Sequence, residues 1–159
     1  MSSQTVSIGI AEIKVIKFHG TLKTTLGSCL GVCLYDKKLK IAGMSHIMLP
    51  VRRDIESSPT KYADTAIPIL IQKMEDNGGS RLNFEAKIFG GSKMFSHHNF
   101  EKMSQIGIDN INMVKKILQD ENIPIVDEDV GGHTGRTIEF SAETGLVTVS
   151  SMNKVIKQI

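Results

Sequence analysis

At 159 residues, with 40% hydrophobic and 23% charged content, the chain has the size and apolar share of one domain over residues 1–159, with one main core and no second unit expected. Nineteen basic against 17 acidic residues give a formal charge of +2 without a block of either sign; aromatics are 5% and Trp is absent, so nucleic acid is not an expected partner. The opening MSSQTVSIGIAEIKV has no basic segment followed by an apolar one, and no window reaches the roughly 18 apolar residues of a membrane span, so a cytoplasmic location, no membrane insertion and reduced thiols are expected.

In chain order, Thr5–Phe18 carries apolar residues at period two and predicts one or two strands, with Gly9 a candidate bulge. Ser28–Tyr35 and Ile41–Leu49 are small and apolar runs joined by the charged turn DKK, and predict two adjacent strands. The polar stretch Val51–Thr60 predicts a loop. A helix follows, with Thr60 as its N-cap, Ala63, Ala66, Ile67, Leu70, Ile71 and Met74 near one face, and Gly78–Gly79 as its stop. Pro68 inside that pattern predicts a kink or a later start. FEAKIFGG predicts a strand ending at Gly90–Gly91, SKMFSHHNF an irregular segment, and Asp109–Asn122 a second helix on Ile111, Val114, Ile117 and Leu118. IPIVDEDVGG predicts a strand, and RTIEFSAETGLVTVSSM a hairpin. The order defines a mixed α/β domain with much antiparallel pairing.

The two cysteines, Cys29 and Cys33, stand four apart, which is not a CxxC knuckle, and no second pair exists to complete a zinc site. Of the five histidines, His19, His46, His97, His98 and His133, none forms an HExxH motif or an i, i+4 pair, so no metal site is expected. Cys33 lies between Val32 and Leu34 and reads as a small buried hydrophobe. Cys29 follows Gly27 and Ser28, a small pair that turns sharply and leaves its amides unobstructed; both a core filler and a nucleophile fit it. His46, on the strand expected beside the Cys29 segment, fits either a general base or a satisfied core residue. Thr24 and Thr25 fit either a hydroxyl partner for an imidazole or strand packing.

The ordered blocks TTLGSCLGVCLYD, AGMSHIMLP, KYADTAIPIL, EAKIFGGSKMF, IGIDNINMVKKILQDENIPIVDEDVGG and GRTIEFSAETG resemble the CheD family of bacterial chemotaxis, the chemoreceptor glutamine deamidases, over nearly the whole chain. The resemblance implies a β-sandwich-like core flanked by two main helices, similar to the deamidating toxins. It implies a cysteine hydrolase that converts glutamine side chains of methyl-accepting chemotaxis receptors to glutamate through a thioester, without cofactor or metal. Its nucleophile falls on Cys29 and its histidine on His46. Its threonine falls on Thr24 or Thr25, of which Thr24 is chosen. Backbone amides of Gly27 and Ser28 are expected to hold the oxyanion. The phosphatase CheC is an implied partner. Val51–Thr60, Gly90–Gly91 and Gly131–Gly132 are candidate receptor-reading loops, and Arg136 and Lys93 candidate partners of receptor carboxylates. A non-catalytic or weakly catalytic adaptor that binds CheC and receptors, and a cysteine hydrolase of small amides or esters, are the rival readings.

Overall fold

The structure, a computed structural model, describes residues 4–94 and 100–159, with the backbone alone for 100–104. Its elements are β1 (Thr5–Ser7), β2 (Ile13–Lys17), β3 (Thr21–Leu26), β4 (Leu30–Asp36), β5 (Ile41–Ile47), α1 (Ala63–Asp76), β6 (Phe84–Gly90), α2 (Phe100–Asp120), β7 (Ile125–Val130), β8 (Arg136–Ser141), β9 (Val147–Ser151) and β10 (Lys154–Gln158). One sheet has the order β1-β3-β8-β9-β10 and the other β2-β5-β4-β6-β7. Pairing is antiparallel except for β1 with β3 and β6 with β7. The mixed, largely antiparallel two-sheet core with two main helices is the architecture expected.

The second sheet is the middle layer. Leu30, Val32, Leu34, Ile41 and Ile47 on one of its faces share a core with Ala66, Ile67 and Leu70 of α1 and Val114 and Leu118 of α2. Cys33, Tyr35, Ala42, Met44 and Phe89 on the other face pack against Leu22, Leu26, Ile138 and Phe140 of the first sheet. Covered on both sides, β4 and β5 are buried at every position, which is why they read as unbroken apolar runs. The first sheet has one covered face, and β3 and β8 accordingly alternate buried with accessible residues.

Several expectations change. Thr5–Phe18 forms two strands in opposite sheets, because Gly9–Glu12 is a turn, closed by Glu12 N–H donating to the Gly9 carbonyl at 3.1 Å; Gly9 is not a bulge. Thr60 lies in a short 3-10 turn over Pro59–Lys61, and the N-cap of α1 is Tyr62. Pro68 does not delay the helix: it sits exposed inside α1, with its ring turned away from the core. Gly79 N–H returns to the Met74 carbonyl at 2.9 Å, so the glycine pair does end the helix. Helix α2 begins nine residues before Asp109, and β3 and β10 are additional strands. His97 and His98 lie outside the described residues.

Glycines set the closest approach. Gly90 has φ +104°, and a Cβ there would stand 2.3 Å from the Cys29 carbonyl oxygen. A Cβ on Gly107 of α2 would stand 2.7 Å from the Gly91 carbonyl oxygen, so that missing side chain lets α2 lie on the Gly91 turn. Gly90→Ala should therefore lower stability by about 3 kcal/mol or more, since backbone strain and overpacking add. Gly78→Ala is the control: φ is +100° there but the space is open, and only the strain of about 1–2 kcal/mol is expected. Urea unfolding midpoints of the two variants check the difference.

Candidate active site

The alternation of β3 decides which threonine faces inward. Leu22, Thr24 and Leu26 are buried between the sheets, while Lys23 and Thr25 face out. Thr25 Oγ1 meets Thr137 Oγ1 at 3.1 Å on the exposed face. Thr24 Oγ1 lies 2.8 Å from His46 Nδ1 across the sheet-to-sheet gap, and 2.7 Å from the Ile8 carbonyl oxygen. A carbonyl only accepts, so the single Thr24 hydroxyl proton goes to Ile8. His46 must then donate its Nδ1–H to Thr24, which leaves the Nε2 lone pair free in the neutral ring. The His46 backbone is fixed as well: its N–H donates to the Glu12 carbonyl at 3.1 Å, and its carbonyl accepts from Ala11 N–H at 3.0 Å. A cavity of about 300 Å3 opens on the pair, lined also by Ile8, Gly9, Ile10, Lys23 and Thr25.

Cys29 closes the bend Gly27–Cys29 between β3 and β4. Gly31 of β4 pairs directly with His46, and Cys29 stands two residues before Gly31, just outside the ladder, at the entry to β4. Its side chain packs against the inter-sheet core, the face on which His46 lies. The thiol is not hydrogen-bonded to the imidazole.

The bend is held by its three carbonyls. That of Gly27 accepts from Ser92 N–H at 3.0 Å, that of Ser28 from Asn110 Nδ2 at 3.3 Å, and that of Cys29 from Gly91 N–H at 2.9 Å. Among the described residues the N–H groups of Gly27, Ser28 and Cys29 meet no acceptor. Unpaired amides on a loop anchored by its carbonyls are donors that an oxyanion site requires.

Gly90–Gly91 and Arg136 support this loop from within. Gly90 and Gly91 are buried, and Gly91 N–H holds Cys29, so this pair is a brace and not a surface that reads a receptor. Arg136 is 8% exposed and donates to the Asp129 carboxylate at 3.1 Å, to Ser92 Oγ at 2.9 Å, and to the carbonyls of Asp129 and Gly131. It is a buried strut and not a partner for an external carboxylate. Lys93 N–H donates to the Gly132 carbonyl at 2.8 Å. In Val51–Ser58, Arg52 donates to the Ile55 and Ser57 carbonyls, and Ile55 is 86% exposed.

Burial pushes the Cys29 thiol up and His46 down from its ordinary value of 6.5. In both groups burial works against the charged form and so favours the neutral thiol and the neutral imidazole. Cys33 is pushed up strongly by full burial, with Lys87 acting weakly against it, and serves as core. His19 and His133 are exposed. Among the described residues no set of three or more His, Cys, Asp and Glu side chains converges as metal ligands, and no helix is long and apolar enough to cross a membrane. Sequence reasoning missed Asn110, whose only trace is an amide residue at helical spacing beside Ile111 and Val114.

Fold and site together define a class: a two-sheet, helix-backed domain that orients a neutral imidazole through a buried hydroxyl, beside an anchored cysteine bend. The chain belongs to the CheD family. The family profile described as CheD chemotactic sensory transduction matches residues 48–151. The chain is 44% identical over 158 residues to the chemoreceptor glutamine deamidase CheD of Halalkalibacterium halodurans, covering 97% of this chain and 98% of that one. It is 45% identical over 152 residues to a probable chemoreceptor glutamine deamidase CheD of Clostridium botulinum, with 94% of each covered, and 43% identical over 163 residues to one of Geobacillus kaustophilus, with 99% of each covered. Cys29 and His46 precede the profile match and fall in the part that these full-length relatives span.

Proposed function

We propose that this protein is a cysteine hydrolase that deamidates glutamine side chains of methyl-accepting chemotaxis receptors, and that it acts in the cytoplasm, where a single 1–159 domain carries the whole activity. The observation that carries the reading is the Thr24–His46 hydrogen bond with the acceptor-only Ile8 carbonyl behind it, which leaves Nε2 free as a base beside the Cys29 bend. The names of the full-length relatives support the substrate class.

In this mechanism Nε2 of His46 takes the Cys29 proton as sulfur attacks the carboxamide carbon. A thiol raised by burial needs that base at the moment of attack. The amides of Gly27, Ser28 and Cys29 take the developing oxyanion. The imidazolium, still donating Nδ1–H to Thr24, then protonates the amine, the C–N bond breaks and ammonia leaves. Water, losing its proton to the same Nε2, attacks the thioester; the C–S bond breaks, the imidazolium returns that proton to the departing sulfur, and glutamate and the free thiol result. The thiol and imidazole are not hydrogen-bonded to each other, and such catalytic bonds commonly tighten only in the complex with substrate. CheC is included in this proposal as a partner, on the family resemblance alone.

The test is incubation of the purified full chain with a receptor cytoplasmic domain, followed by peptide mass spectrometry for site-specific Gln-to-Glu conversion. Absence of conversion above the no-protein control would defeat the enzyme reading in favour of the adaptor. Conversion of free glutamine or small amides at a comparable rate would favour the small-amide hydrolase. Within the same assay Thr24→Val should lower kcat by about 10–100-fold through loss of ring orientation, and Thr24→Ser should restore most of it. Thr25→Val, altering only the outer face, should stay within about twofold of the parent.

A further inference from the structure

We infer that Asn110 is a positioning residue of the site, tying the bend that carries Cys29 to the end of the strand that carries His46. The inference rests on the proposed cysteine chemistry for its meaning. Asn110 lies on α2 and is fully buried. Its Nδ2 donates to the Ser28 carbonyl at 3.3 Å and to the Met48 carbonyl at 3.1 Å. Ser28 is the residue before Cys29, and Met48 is two residues after His46. One planar amide group therefore reaches both segments that hold the reacting side chains.

The orientation of this amide is not free. Both neighbours are carbonyls, which only accept, so the NH2 end must face them and Oδ1 must point away. Oδ1 is buried and has no partner among the described residues. An unpaired buried acceptor costs stability, and an apolar residue of similar size would avoid it. What the position gains from Asn is two donors on one rigid group, aimed at two loops.

The surroundings make the bridge stiff. Val114 and Leu118, one and two turns further on, are buried in the core between α2 and the middle sheet. Gly107, one turn earlier, lets the α2 backbone touch the Gly91 carbonyl, and Gly91 in turn holds the Cys29 carbonyl. The bend is thus fixed from α2 at two adjacent carbonyls, directly at Ser28 and through Gly91 at Cys29. Of these two links from α2, the Asn110 one continues to the end of the His46 strand, beside the β4–β5 ladder that places Gly31 opposite His46. The Thr24 bond sets the His46 ring, and the bonds with Glu12 and Ala11 and the pairing with Gly31 set its backbone.

The experiment compares the full chain with Asn110→Ala and Asn110→Ser by three measurements: thermal unfolding, kcat and KM for receptor-domain deamidation, and the iodoacetamide labelling rate of Cys29 by mass spectrometry. Buried Cys33 serves as the internal marker of unfolding. Below the melting transition, Asn110→Ala should lower kcat by about 10–100-fold with KM within about twofold, and change Cys29 labelling by about threefold or more while Cys33 stays protected. Asn110→Ser, keeping one donor, should fall between it and the parent. If Asn110→Ala does not fold, the Ser variant decides by the same criteria. Unchanged kcat and Cys29 labelling in a folded variant would overturn the inference, as would a loss that tracks Cys33 labelling. A parent chain without deamidase activity would defeat the proposed function instead, and Cys29 labelling would still decide whether Asn110 positions the bend.

Discussion

Cys29→Ala is expected to fold as the parent does and to lose receptor glutamine deamidation by about 10^4-fold or more, because no other group can carry the acyl intermediate. The fold should survive because the bend is held through carbonyls, by Ser92, Gly91 and Asn110, and the substitution touches none of them. A methyl group in place of a methylene thiol also keeps the packing against the inter-sheet core. Cys33→Ala should behave oppositely. Cys33 is 1% exposed between the sheets, so its loss should cost about 1–2 kcal/mol of stability and leave kcat near the parent value. Labelling separates the two thiols again: Cys29 in the parent should react with iodoacetamide at neutral pH more slowly than a free thiol, since burial holds it protonated, and Cys33 only on unfolding. Peptide mass spectrometry of the receptor domain and circular dichroism of the variants check both halves. Full conversion by Cys29→Ala would remove the nucleophile assignment.

The central strands were legible because physics wrote them plainly. Being covered on both faces, β4 and β5 are apolar throughout, and the turn between them is marked by Asp36, whose Oδ1 accepts from Lys38 and Leu39 N–H groups at 3.0 Å. β3 was not legible as a strand, since TLKTTL has only two apolar residues and the inward slot between them is filled by Thr24. Read as alternation from Leu22 to Leu26, that stretch would have placed Thr24 inward and Thr25 outward. β10 offers no periodicity at all, because each of its residues is exposed. The start of α2 was hidden by Gly107, a weak helix former kept there for close approach. The candidate site was suggested by family resemblance and not by spacing: the register that sets Gly31, two residues after Cys29, opposite His46 is a cross-strand feature, and Arg136 and Gly90–Gly91 show their roles only as contacts.

His46→Gln should lower kcat/KM by about 10^2–10^4-fold, the usual worth of a positioned general base. Its pH dependence gives a second, independent signature. Burial lowers His46 below 6.5, so the ring stays neutral and basic through the neutral range, and the acid limb of the parent kcat/KM profile should lie below that value. Stability follows the same group. The unfolded chain binds a proton at this ring near 6.5 and the folded chain only at lower pH, so between those values the unfolded state holds more protons and stability falls as pH falls. The contribution is complete above 6.5 and is lost as the pH drops through the folded value. Gln, which does not titrate, removes that slope, so the gap between the thermal midpoints of parent and variant should change on acidification and stay flat above pH 7. Cys29 acts in the opposite sense, because its raised pKa keeps it protonated where the unfolded thiol ionises, and the stability it contributes is lost at alkaline pH. The folded state thus favours the two groups in their neutral forms over one shared window, the window in which Nε2 can take the thiol proton only as the sulfur attacks. A parent profile whose acid limb lies above 6.5, or a variant with the parent's rate, would place the base on another group.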